Sequence, residues 1–176
     1  KSSGRCWLFT GMNVLRAKMI DKYDLGAFTL SQNYLFFYDQ LEKSNLFLQG
    51  VIDTRQLPFE DRKVDWLFSN PLSDGGQFTG VSDLVMKYGI VPSEVMPETY
   101  SSNNTAQMAT QLKNILRQGG LKLRAAYDAS GVSLLSGKKA AAAEVKVNAE
   151  LQQIKESVLT DVYRVLALSW CSSYRV

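Results

Sequence analysis

The stretch KSSGRCWLFTGMNVLR, residues 1–16, decides how the rest of the chain is read. A Ser-Ser-Gly turn runs into Cys6, and Leu8, Met12, Leu15 and Met19 then recur at i, i+4, i+7 and i+11. That spacing lays one apolar stripe along a helix, expected over 6–22 and ended by Asp24-Leu25-Gly26. Cys6 falls in its first turn, beside unpaired backbone N–H groups and the positive end of the helix dipole. Both favour a thiolate. Gly4 has no Cβ to obstruct a substrate. The Cys6 N–H can face the oxyanion made when a thiolate attacks a carbonyl, and Trp7 shields the turn from water. Taken singly, a cysteine before a helix is more often a small buried apolar residue. Its neighbourhood has to raise it above that.

Working outward, Ser31 is the expected N-cap of a second helix over 32–48, with Tyr34, Phe37, Tyr38 and Leu41 facing inward. A third helix is expected within 54–70, its regular part starting near Pro58. The turn cluster NPLSDGGQF, residues 70–78, precedes a helix that carries Phe78, Val81, Leu84, Val85 and Tyr88 and stops at Gly89. A polar loop follows. Another helix over 105–126 has Gly119-Gly120 as a break, and a long helix over 138–168 carries Leu151, Ile154, Val158, Val162 and Val165 as its stripe. No segment reads as a β-strand, so the fold class is mainly α.

Composition narrows the function. Twenty basic against 17 acidic groups leave a net charge of +3, too weak and scattered to argue for a nucleic-acid partner. No apolar run reaches the roughly 20 residues that span a bilayer, so no membrane partner is expected. Two cysteines, Cys6 and Cys171, are too few for a disulfide framework and suit a reducing compartment. There is no histidine, which removes the usual zinc sites and the usual base for a nucleophile. No metal and no cofactor are expected. Asp21, Asp24 and Asp39 read as surface carboxylates, and Glu60, Asp61 and Asp65 as a solvated face shared with Arg62 and Lys63.

Ser3-Gly4-Arg5-Cys6-Trp7 resembles the Cys-Gly-Ser-Cys-Trp segment around the nucleophile of papain-like cysteine peptidases. The longer string resembles more closely the bleomycin hydrolase and aminopeptidase C branch, in which Ser-Ser-Gly-Arg-Cys-Trp-Leu-Phe is characteristic. Ser3 stands where secreted relatives often carry a disulfide cysteine. A second segment, SDGGQFTGVSDLVMKYGIVPSEVMPETY at residues 73–100, resembles the same branch in its Asp-Gly-Gly-Gln, its Lys-Tyr-Gly and its Val-Pro and Met-Pro-Glu-Thr. Alone, Asp-Gly-Gly is an ordinary turn; the two segments together, in this order, identify the family.

The resemblance implies the helical (left) subdomain of a papain-like α+β fold over 1–168, with the β-rich half absent and 169–176 a divergent tail. It implies Cys6 as nucleophile, and Gly75 and Gly76, with Asp74, Gly4 and Trp7, as the substrate-binding wall. There the bare backbone pairs with an extended peptide as an added strand would. It further implies peptide substrates trimmed one residue at a time from the N-terminus, a cytoplasmic setting and a homo-hexamer in intact relatives. The family's base is a histidine oriented by an asparagine, both on the β-rich half. Its oxyanion glutamine lies six residues before the nucleophile, which falls just ahead of Lys1. Gln32 and Gln77 do not match it. The chain is therefore expected to be a piece cut between these groups. The helix dipole contributes roughly 0.3–1 kcal/mol, against the several pKa units by which a paired histidine activates such a thiol. Negligible peptidase activity is expected of the chain alone. The alternative is a non-catalytic helical module that binds peptide or protein.

Overall fold

The computed structural model describes residues 3–73 and 75–170. Among them the regular structure is helical, with no β-strand; an isolated antiparallel bridge pairs Leu30 with Pro92. Seven α-helices follow one another: α1 (Cys6–Tyr23), α2 (Gln32–Asp53), α3 (Arg62–Ser69), α4 (Phe78–Tyr88), α5 (Tyr100–Asn103), α6 (Ala106–Ser130) and α7 (Gly137–Trp170). The mainly α class stands.

The chain forms two compact units. The first comprises Lys1–Leu41, Asp74–Ala109 and Val165–Val176; the second comprises Glu42–Ser73 and Thr110–Arg164.

In the first unit, α1 starts at Cys6 as its stripe requires, burying Leu8 and Met12, while Leu15 and Met19 are half-buried. Asp24 takes a left-handed conformation, φ 50°, and closes the helix. Ser31 Oγ accepts from the Tyr34 N–H at 3.2 Å, the expected cap of α2, and donates to the Met96 carbonyl at 2.6 Å. The inward face of α2 differs from expectation. Leu35, Phe36 and Phe37 are buried, whereas Tyr34, Tyr38 and Leu41 are only half-buried. Asp39 is buried too, at 6% exposure, and accepts from the Gln40 side chain at 3.0 Å, so it is not a surface carboxylate. Helices α1 and α4 approach closely through Gly11, where a Cβ would stand 2.7 Å from Val81 Cγ2. At the end of α7, Trp170 is buried with edge-on contacts to Phe36 and Phe37. Residues 171–176, which hold Cys171 and most of the expected tail, lie outside the described residues.

In the second unit, α2 continues to Asp53, five residues beyond expectation. Gly50 does not stop it, because the bare Cα accommodates Leu67 of α3. Helix α3 begins later than expected, at Arg62. Asp61 caps it by accepting from the Lys63 N–H at 2.8 Å, and residues 54–61 form turns around Pro58. Gly119-Gly120 is not a break, since α6 runs through it unbroken. A Cβ on Gly119 would meet Val158 at 2.7 Å, and one on Gly120 would meet Phe68 at 2.9 Å. The pair lets α6 pack closely against α7 and α3. The stripe on α7 holds, with Leu151, Val158 and Val162 buried.

Candidate active site

Cys6 is the first residue of α1 and is exposed. Its carbonyl accepts from Thr10 Oγ1 at 2.9 Å, one turn on. The preceding Gly4 has φ 57°, a left-handed conformation that glycine adopts without strain. It is exposed, and it turns the chain into the helix just ahead of the thiol.

Trp7 is half-buried, and the Gly-Gly segment packs on it. A Cβ on Gly76 would lie 2.6 Å from two atoms of the indole, and one on Gly80 would lie 3.6 Å from it. The nucleophile segment and the 73–100 segment therefore meet at Trp7 against Gly76. Gly75 differs: it is exposed, and nothing lies within 4 Å of where its Cβ would be. Asp74 lies outside the described residues. So Cys6, Gly4, Trp7, Gly75 and Gly76 all belong to the first unit, and the approach of Gly76 to Trp7 joins the two segments.

Residues the sequence reading did not single out stand behind Cys6. Arg5 is fully buried, and its guanidinium forms a fork with the Glu98 carboxylate at 3.0 and 2.8 Å. It also donates to Asn33 Oδ1. The available signal was the placement of an arginine between a glycine and the candidate nucleophile, with a glutamate in the Met-Pro-Glu-Thr of the second segment.

Among the described residues no group of three or more His, Cys, Asp or Glu side chains is arranged to hold a metal. Among the same residues no helix is long and apolar enough to cross a membrane. A concavity of about 970 Å³ in the second unit is lined by Arg55, Phe59, Arg124, Tyr127 and Glu144, among others. None of the expected site residues lines it. Its cations are already engaged, Arg55 with Glu144 and Arg124 with the Thr54 and Leu57 carbonyls.

Residues 1–172 match the model of the Peptidase C1-like family. The chain is 42% identical to aminopeptidase C of Lactobacillus helveticus over 171 residues, 97% of this chain and 35% of that protein. It is 40% identical to bleomycin hydrolase of Rattus norvegicus over 126 residues, 70% of this chain and 28% of that one. Among solved structures, PepW from Lactobacillus rhamnosis superposes with a TM-score of 0.81 at 38% identity, covering 97% of this chain and 35% of its own. The chain thus spans about a third of the length of such relatives. With the helical subdomain of a papain-like peptidase in place and both motif segments packed together, the chain belongs to the Peptidase C1-like family, in its aminopeptidase C and bleomycin hydrolase branch.

Proposed function

We propose that this chain carries the nucleophile side of a cysteine aminopeptidase, with Cys6 as the nucleophile. The Cys6 sulfur attacks the carbonyl carbon of the substrate's first peptide bond, and the carbonyl π electrons move to oxygen. The backbone N–H of Cys6 faces that oxyanion. Collapse breaks the C–N bond, and the amine leaves with a proton from the base. Water then attacks the thioester, releasing the N-terminal residue as its acid and returning the thiolate. Gly75 and Gly76, together with Asp74, Gly4 and Trp7, form the wall that takes the peptide backbone. The scheme uses no metal or cofactor. Its base is a histidine, which the 176 residues do not contain. By itself the chain is therefore a peptidase piece with negligible turnover. A homo-hexamer and a cytoplasmic setting accompany the reading through the family resemblance.

The observation that supports it best is the meeting of the two motif segments: Trp7, next to the exposed thiol, packs on Gly76. The test is hydrolysis of aminoacyl amide fluorophores. The chain alone is expected to show no turnover that Cys6→Ala removes; Cys6-dependent turnover would overturn the inactivity. In a longer form that supplies the histidine, Cys6→Ala should lower kcat by a factor of about 10³ or more. Full activity of that variant would overturn the role of Cys6.

A further inference from the structure

Arg5 is fully buried although it adjoins an exposed residue, Cys6. It is the N-cap of α1, with φ −95° and ψ 12°, but its side chain makes no capping bond. The guanidinium is directed elsewhere. Nη1 donates to Glu98 Oε1 at 3.0 Å and Nη2 to Oε2 at 2.8 Å, two parallel bonds in the fork geometry that only arginine supplies. Nη1 also donates to Asn33 Oδ1, and Asn33 Nδ2 passes the connection to the Pro97 carbonyl at 2.6 Å. Ser102 Oγ steadies Glu98 Oε2 from a further side at 3.0 Å. The rings of Phe9 and Phe36 lie 5.2 and 5.7 Å from the guanidinium carbon.

Three stretches far apart in sequence converge on this one group: the start of α1, the start of α2 and the segment from Pro97 to Ser102. A bond network that only held the fold together could sit anywhere in the core. This one ends on the residue covalently joined to Cys6, so a backbone shift at Arg5 moves the start of α1, where the thiol sits. A displacement of about 1 Å at a reacting atom can cost roughly 10²-fold in rate.

We propose that Arg5 is a positioning residue for the Cys6 thiol, with Glu98 and Asn33 as the jaws that hold it. The inference rests on the proposed role of Cys6 and adds how the thiol is kept at the helix start. Lysine cannot serve, because a single ammonium cannot span both carboxylate oxygens and Asn33 in one plane. Releasing the fork frays the first turn and removes the thiol from the aligned N–H groups.

The test is the rate of Cys6 alkylation by iodoacetamide in the whole 176-residue chain, followed by mass spectrometry of the peptide containing residue 6 so that Cys171 does not contribute. The variants are Arg5→Lys and Glu98→Gln, and a far-UV spectrum is taken of each sample. The expected result is alkylation slower by about two- to fivefold in a folded chain, the size of a helix-end effect on a thiol. Arg164→Lys, which alters an exposed pair with Asp161, should leave the rate unchanged. An unchanged rate in a variant that keeps its helical spectrum overturns the proposal. Loss of that spectrum in both variants also overturns it, because the pair is then an element of the fold alone. Failure of the catalytic reading shows separately, as turnover in the longer form that survives Cys6→Ala while alkylation still follows Arg5.

Discussion

A β-carbon on Gly76 would stand 2.6 Å from the indole of Trp7, whereas one on Gly75, the adjacent residue, would meet nothing within 4 Å. Two neighbouring glycines in one motif therefore do different physical work. Gly76 is bare because an aromatic ring lies against it. At Gly75 the Cβ direction is clear of other atoms.

This contrast gives the first prediction. Gly76→Ala forces the Trp7 ring to shift, and overpacking of this kind costs about 1–3 kcal/mol, here toward the low end because Gly76 borders solvent. Gly75→Ala should leave stability within about 0.5 kcal/mol. Urea unfolding followed by tryptophan emission checks both, and equal midpoints for the two variants would contradict the packing.

Alanine at helical glycines should act with opposite signs at two sites. Gly80 lies in α4, where a Cβ finds ordinary contact with Trp7 at 3.6 Å, so Gly80→Ala should stabilise by about 0.5 kcal/mol through helix propensity. Gly119 lies in α6, where a Cβ would reach Val158 at 2.7 Å. Val158 is buried and β-branched, and so has little rotamer freedom with which to yield. Gly119→Ala should destabilise by about 1–2 kcal/mol despite the same propensity gain. Thermal midpoints should move in opposite directions.

Trp170 fills space beside Phe36 and Phe37, with ring centroids 5.7 and 6.1 Å away. Trp170→Ala should cost about 3–5 kcal/mol, while Leu168→Ala, two residues earlier and 83% exposed, should cost less than about 0.5 kcal/mol. Denaturant midpoints decide it, and similar losses for the two would contradict the burial of Trp170.

The pH dependence should show at Tyr38. Burial pushes its phenol above the ordinary 10.0, and Tyr34 adds to this through its charge when ionised and through a side-chain hydrogen bond. Tyr38 also stacks on Tyr88, centroids 3.9 Å apart, and Tyr34 donates to the Tyr88 carbonyl at 2.9 Å. The folded state holds the Tyr38 proton more tightly than the unfolded state. Its contribution is thus complete below about pH 10 and lost as pH rises through the raised folded value. Tyrosinate absorbance should show a late-titrating component that Tyr38→Phe removes, and that variant should lose less stability in alkali. A titration curve unchanged by Tyr38→Phe would contradict this.

Much of the fold was legible because helices are local. The 3.6-residue repeat of Leu8 and Met12, or of Leu151, Val158 and Val162, is written in consecutive turns, and it located α1 and α7 to within one or two residues. The start of α3 was misread because Pro58 can open a helix, but Asp61, three residues on, satisfies the free N–H groups better. The candidate site was legible for a different reason. A thiol at a helix start needs particular residues close beside it, so Gly4, Cys6 and Trp7 fall within four consecutive positions.

By itself, then, the sequence determined the helical class, the family and the candidate nucleophile, each carried by short-range pattern. Only the tertiary structure decided what depends on partners distant along the chain. Gly119-Gly120 reads locally as a helix break, since glycine weakens any helix, yet it is a contact because Val158 and Phe68 press against it. Arg5 reads locally as a charged residue in a turn, yet it is fully buried because Glu98, 93 positions away, neutralises its charge and Asn33 takes one of its remaining donors. Burying a charge is favourable only when a partner is already in place, and no local pattern records where that partner will be.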